Sequence, residues 1–266
     1  MGAIIPISLP HEILDISYKD AYTILKKHSG FFIRWEDNFN AAHENNWWHI
    51  IKDDQININN YSSNTRSKIR RGLRRFDIIQ VEKTEILKKG YQIYAEVFDQ
   101  YKTIEKKLNL DQFVTAINSL PNNTEFYAIY DKESKEMVGF VENYISSMAM
   151  FIVSIWIKPW ALQKYANYAL VYKMIIDYLE ERSFRYISDG ARSVSHDTEI
   201  HEFLISKFKF RKAYAHMHIA YSPLLRLGIN LFYPFRSIFG IIKWSKIISK
   251  INILLHQENL RRNQNF

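Results

Sequence analysis

The chain has 266 residues, 47% hydrophobic and 24% charged, proportions of a globular protein with a full core rather than a disordered chain. It contains no cysteine, which excludes disulfides, thiolate metal sites and cysteine nucleophiles and suits a reducing, cytoplasmic setting. The net charge of +8 is uneven: residues 64–76 carry six Arg and Lys, and residues 223–266 carry seven against one acid, Glu258, so the excess points to local anionic partners.

The opening MGAIIPISLPHEIL has no basic region before its apolar residues, and Pro6 stands where a myristoylation signal needs Ser or Thr. It is read as neither a secretory nor a myristoylated leader. YKDAYTILKKH (18–28) predicts a helix, and FFIRWE (31–36) and WWHIIKD (47–53) predict short strands. NTRSKIRRGLRRF (64–76) places Ile69, Leu73 and Phe76 on one helical face, flanked by the rows Arg66, Arg70, Arg74 and Lys68, Arg71, Arg75. Ser62, Ser63 and Asn64 offer N-caps. Such a helix docks on a body and displays cations at its rim, either as a solvated face or as a grip for an anion.

DIIQVEK (77–83) reads as a strand, and residues 84–108 as a helix with Ile86, Ile93, Val97, Tyr101 and Ile104 near one face. A short helix over 111–120 ends at Pro121. Three strands follow, 124–131, 136–146 and 148–157, joined by the charged turn DKESK and by Ser146-Ser147. The third is apolar on both faces, which marks a central position, and Pro159 ends it. A long helix is expected over 162–182, then a strand at 185–190 (RYISDG), a helix capped by Asp197 or Thr198, and a closing strand at 210–222. This succession predicts an α/β (α+β) fold with a mixed central sheet flanked by helices. The expected divisions are an α/β lead-in at 1–63, a central domain at 64–222 and a basic, apolar helical tail at 223–266.

The central segment resembles the GNAT acyltransferases, in particular their FemAB-like branch. The likeness is carried by the basic helix and the strand after it, by KPWALQKYANYALVYKMIIDYLEERSFRYISDG and by EIHEFLISKFKF. The resemblance implies a central strand splayed from its neighbour, whose free backbone groups pair with the arm of acyl-CoA. It also implies a following helix whose N-terminus faces the pyrophosphate. The donor contacts would then be Ile155 and Ile157 on the strand and Gln163, Lys164, Ala166 and Asn167 in the turn, with Lys158 beside it. The sequence departs from the family where glycines are usual, at Ala166 and Tyr168, and Ile205 stands where many members carry a Tyr. Some FemAB-like proteins instead take their acyl group from aminoacyl-tRNA; Arg70 and Arg74 are candidate contacts for the phosphates of either carrier, and without an established RNA-binding motif acyl-CoA is the expected donor.

Acyl transfer to an amine or hydroxyl needs a base and donors for the oxyanion. The polar cluster ISDGARSVSHDTEIH (187–201) follows a predicted strand end, so Asp189 or His196 is a candidate base and Arg192 an anion contact. Glu142 shares a strand face with Phe140 and Tyr144, where burial would raise its pKa toward a useful range. His216 and His218 point to one side of a strand, but without a defined third ligand no metal site is assigned.

The tail has no uncharged run long enough to span a bilayer. Residues 238–254 read as a helix with Lys243, Lys246 and Lys250 among aliphatics, suited either to an anionic membrane surface or to docking on its own domain or on a second copy. Two classes of function remain open: an enzyme transferring an acyl group from acyl-CoA to a small amine or hydroxyl acceptor, and a non-catalytic scaffold or membrane-surface adaptor.

Overall fold

The structure, a computed structural model, describes residues 2–12, 14–54, 57–100, 106–194, 199–237 and 246–264. The chain divides into two compact units, one built from Met1–Ile50, Ala191–Glu199 and Lys212–Phe266, the other from Ile51–Gly190 and Ile200–Arg211.

In the first unit, strand β1 (Ala3–Ile4) runs parallel to β2 (Phe32–Ala41), which pairs antiparallel with β9 (Arg211–Tyr221) in the order β1-β2-β9-β3, β3 being Trp48–Lys52. Helix α1 (Tyr18–His28) starts at a reciprocal cap in which Ser17 and Asp20 satisfy each other's backbone N–H. Ala21 and Leu25 of α1 pack on Ile33, Trp35 and Ala220. The tail forms helices α8 (Pro223–Phe232) and α9 (Lys246–Arg262), linked in part by a tight turn at Tyr233–Phe235. Leu255 and Leu260 of α9 join Phe32, Trp47, Met217, Tyr221 and Ile229 in one core. Gln264 locks the end by bonding both the N–H (2.6 Å) and the carbonyl (2.9 Å) of Met217. The helix expected over 238–254 is thus present from Lys246 onward, docked on its own unit, and its earlier part lies outside the described residues.

In the second unit the strand order is β8-β7-β6-β5-β4: β4 (Phe76–Val81), β5 (Thr124–Asp131), β6 (Met137–Ser146) and β7 (Ala149–Ile157) are successively antiparallel, and β8 (Tyr186–Ala191) is parallel to β7. Helices α3 (Lys83–Phe98) and α4 (Leu110–Asn118) bury Ile86, Ile93, Tyr94, Phe113 and Ile117 against Phe126, Ala128 and Phe140 on one face. The alternate residues Tyr127 and Asn143 meet Tyr178 on the opposite face, covered by helix α6 (Ala166–Ile175) and its continuation. Helix α2 (Ser63–Arg75), capped by Ser62, packs across α6, and α7 (Glu199–Phe208) follows β8.

Two expectations need correction. The helix expected over 162–182 is broken: one turn, α5 (Pro159–Gln163), is followed by α6, and the last turn at Ile176–Glu181 widens to a π-helical one. The break lies at Tyr165, whose left-handed backbone (φ 70°, ψ 29°) ends α5 and starts α6. The helix expected to reach residue 108 ends at Phe98, and Tyr101 and Ile104 lie outside the described residues.

Candidate active site

The pairing of β7 with β8 is short. It runs through Ala149↔Tyr186, Met150↔Ile187 and Phe151↔Ser188 and then stops, while β7 continues to Ile157. On its other side β7 stays paired with β6 all the way to Gly139↔Ile157. The peptide groups of β7 beyond Phe151 that point toward β8 therefore have no ladder partner there. β7 is central, as its sequence implies, but its second half is only partly covered: Val153 is exposed and Ser154, Ile155 and Trp156 are half-buried, whereas Ile157 is buried.

At the start of that half the ladder carries a bulge. Glu142 pairs with Ser154 and Asn143 with Ile152, leaving Val153 as the extra residue. A bulge bends the strand and re-aims the side chains beside it. Glu142 lies between Phe126 on β5 and Ser154 on β7, on the face covered by α3 and α4, with Phe140 two residues away in the same core. It is 8% exposed, and burial pushes its carboxyl up to about 7, against the opposing hydrogen bond from Ser154. The Ser154 hydroxyl in turn accepts the indole N–H of Trp156 at 2.9 Å, and Trp156 rests edge-on against Tyr94 of α3.

The turn after β7 is built around tyrosines instead of glycines. Lys158 starts it and forms an ion pair with Glu96 at 3.4 Å. Gln163 and Lys164 are exposed and Ala166 is fully buried. The Tyr165 carbonyl accepts the N–H groups of Tyr168 and Ala169, and the Asn167 side-chain oxygen is buried without a partner. The left-handed residue, at a position where glycine is favoured, is Tyr165. Tyr168 turns into the space beside α7, edge-on to Phe203 at 5.0 Å and tilted against Phe208 at 5.9 Å.

Helix α2 lies against this turn. A Cβ on Gly72 would fall 2.4 Å from the Tyr165 carbonyl oxygen and 3.0 Å from the Ala169 Cβ, so only glycine permits the approach. The residues that face the turn are Lys68, over the rings of Tyr165 (5.6 Å) and Tyr168 (5.3 Å), and Arg71, over Tyr165 at 4.7 Å. Arg70 and Arg74, the pair singled out from the sequence, lie exposed on the outer side. Arg66 caps the Asn59 and Tyr61 carbonyls and Arg75 pairs with Asp131 and Glu133, so these two are committed to structure.

Asp189 stands at the end of β8, where Gly190 takes φ +91° over the Phe151 ring. Its carboxylate meets Nε2 of His201, in the first turn of α7, at 3.2 Å. Burial raises the Asp189 carboxyl, and His201 opposes that rise. His196, the alternative base to Asp189 in the sequence, lies outside the described residues, and His201 was not among the candidates. Arg192 donates to the Asn46 carbonyl at 3.0 Å and lies over the Trp48 ring. His216 and His218 share Asp37, at 3.6 and 2.9 Å, and no group able to hold a metal occurs among the described residues.

No family model matches the sequence, and no curated protein matches it. Solved structures do. The chain superposes on FemX with a TM-score of 0.55 at 11% identity, over 79% of this chain and 77% of that one. It also resembles L-PGS from Bacillus licheniformis (TM-score 0.47, 12% identity, 76% and 65% of the two chains). A third likeness is to a functionally unknown conserved protein from Staphylococcus epidermidis (0.44, 10%, 81% and 82%). The chain thus shares the fold of FemX.

Proposed function

We propose that the protein transfers an acyl or aminoacyl group from a phosphorylated carrier to an amine or hydroxyl, with Glu142 as the base. The observation that carries this reading is the coincidence of an opened central strand with a buried, high-pKa carboxyl at the bulge where the opening begins. The donor carbonyl lies along the free edge of β7, whose N–H groups take up the developing oxyanion charge. The acceptor nitrogen or oxygen attacks that carbonyl while the Glu142 carboxylate removes its proton. As the tetrahedral adduct collapses, the carrier's sulfur or ribose oxygen departs and takes the proton from Glu142, which regenerates the carboxylate. Ser154 and Trp156 hold Glu142 in place.

The carrier favoured by the packing is an aminoacyl-tRNA rather than acyl-CoA. A pyrophosphate needs bare backbone at the start of α6, and there Tyr168 fills the space beside α7. Lys68, Arg70, Arg71 and Arg74 form no ion pair among the described residues, so a longer polyanion can be gripped from outside the turn. Incubating the protein with labelled aminoacyl-tRNAs, or with acyl-CoAs, and a panel of amine acceptors tests both parts. Transfer from tRNA supports the whole reading and transfer from acyl-CoA corrects the donor. Binding of neither carrier and no transfer from either would leave the non-catalytic alternative.

A further inference from the structure

Helix α8 is inverted relative to an ordinary surface helix. Its leucines Leu224, Leu227 and Leu231 recur at three- and four-residue spacing on one face and are 83%, 67% and 63% exposed. The opposite face supplies Ile229 and Leu225 to the core. Phe232, and Phe235 of the following turn, are also exposed, at 39% and 53%, and space around Gly228 is open. Beside the stripe stand the exposed cations Arg226 and Arg236, and Lys250 is exposed on α9.

Against the inner flank of α8 lies a cavity of about 450 Å³ whose lining includes Tyr18, Arg226, Asn230, Arg261, Arg262 and the carboxylate of Glu258. The tail's one acid, Glu258, is 2% exposed and already neutralised by Arg261 at 2.7 Å and Arg262 at 2.6 Å. The Tyr221 hydroxyl adds a third donor to it at 3.0 Å. The surface around α8 therefore offers leucines and guanidiniums, with its carboxylate compensated. Arg226 reaches the Tyr22 hydroxyl at 3.3 Å and Arg262 the Asn230 side-chain oxygen at 3.1 Å, so both guanidiniums are held near the cavity with donors to spare.

We propose that this face of α8 docks on an anionic phospholipid surface, the leucines entering the acyl boundary and the Arg226–Arg262 cavity receiving a headgroup phosphate. Charge complementarity selects the occupant. An apolar stripe rimmed by cations matches a negatively charged lipid interface. A second copy meeting the same face about a two-fold axis would set one cationic rim against another. The sequence left 238–254 open between a membrane surface and docking on protein; its described part is docked, so the lipid-facing role is proposed for α8 instead, and the inference does not depend on the transfer reaction.

Vesicle co-sedimentation of the full chain provides the test. The protein is expected to pellet with phosphatidylcholine vesicles containing phosphatidylglycerol, to release in high salt, and to stay in solution with phosphatidylcholine alone. Replacing the three leucines together (L224S, L227S, L231S) should lower the partition at least about tenfold. The pair Arg226→Gln and Arg236→Gln should lower it roughly thirtyfold at low salt, about tenfold or less per charge. All five side chains are exposed, so urea midpoints should match wild type and separate docking from folding. Wild-type protein that ignores anionic vesicles, or variants that pellet as well as wild type, would overturn the proposal. So would a dimer that the leucine variant dissolves while vesicles remain unbound.

Discussion

Ser154 faces Glu142 across the β6–β7 ladder and bonds its carboxyl, while the same hydroxyl accepts the Trp156 indole N–H. This chain of two hydrogen bonds sits at the bulge where β7 begins to run free of β8. A single bond from Ser154 only partly offsets the cost of burying the charge, so the carboxyl stays protonated to about pH 7. A base with that pKa is half-ionised where it must work and still holds a proton strongly enough to return it.

Glu142→Gln should abolish turnover by about 10²–10⁴-fold with little change in donor affinity, because the amide keeps the shape and loses the proton acceptor. Transfer assays paired with donor titration measure both. An intact rate in this variant would remove Glu142 from the reaction.

Activity should rise with pH through a midpoint near 7, since the ionised form is the base. Ser154→Ala deletes the interaction that lowers this pKa, so its rate profile should move to higher pH. A profile that falls in amplitude without moving would mean that Ser154 acts elsewhere.

The same carboxyl makes stability depend on pH. Between the ordinary Glu value of 4.5 and about 7, the unfolded chain has released a proton that the folded chain keeps. Folding stability should therefore decline as pH rises across that window. Glu142→Gln lacks this slope and should exceed wild type above pH ~8 by on the order of 2–3 kcal/mol. Urea denaturation of both proteins at several pH values is the check, and parallel curves would refute the buried-carboxyl assignment.

Gly72→Ala should destabilise the second unit by about 2–3 kcal/mol, because the new methyl meets the Tyr165 carbonyl, a backbone atom that cannot move without shifting the turn. Carrier binding should weaken with it. Unchanged stability would mean that α2 and the turn separate easily.

Most of the scaffold was legible in the residues. The helix at 18–28 and the strand at 124–131 match their expected bounds, because local pattern and tertiary burial agree there. The burial of Glu142 followed from the same logic, an acid among alternating core residues. Other features depend on contacts distant in sequence. The break at Tyr165 is imposed by α2 packing through Gly72, and nothing local in QKYANYA marks a tyrosine for a left-handed backbone. That Lys68 and Arg71 face the turn while Arg70 and Arg74 are exposed follows from which side of α2 meets it. The pairing of Asp189 with His201 depends on how α7 returns to β8.

Replacing Lys68 and Arg71 by Gln should weaken tRNA binding and flatten its salt dependence by roughly one to two units of log–log slope. Filter binding across a salt series gives the slope. A slope equal to that of wild type would place the nucleic acid elsewhere.

The most direct measurement is a crystal structure of the protein with a non-hydrolysable aminoacyl-adenosine, in which an amide replaces the reactive ester. The expected result is a donor carbonyl oxygen hydrogen-bonded to a β7 N–H beyond Phe151, with its carbon open to an acceptor approaching from the Glu142 face. An analogue bound away from β7, or β7 and β8 found paired along their full length, would contradict it.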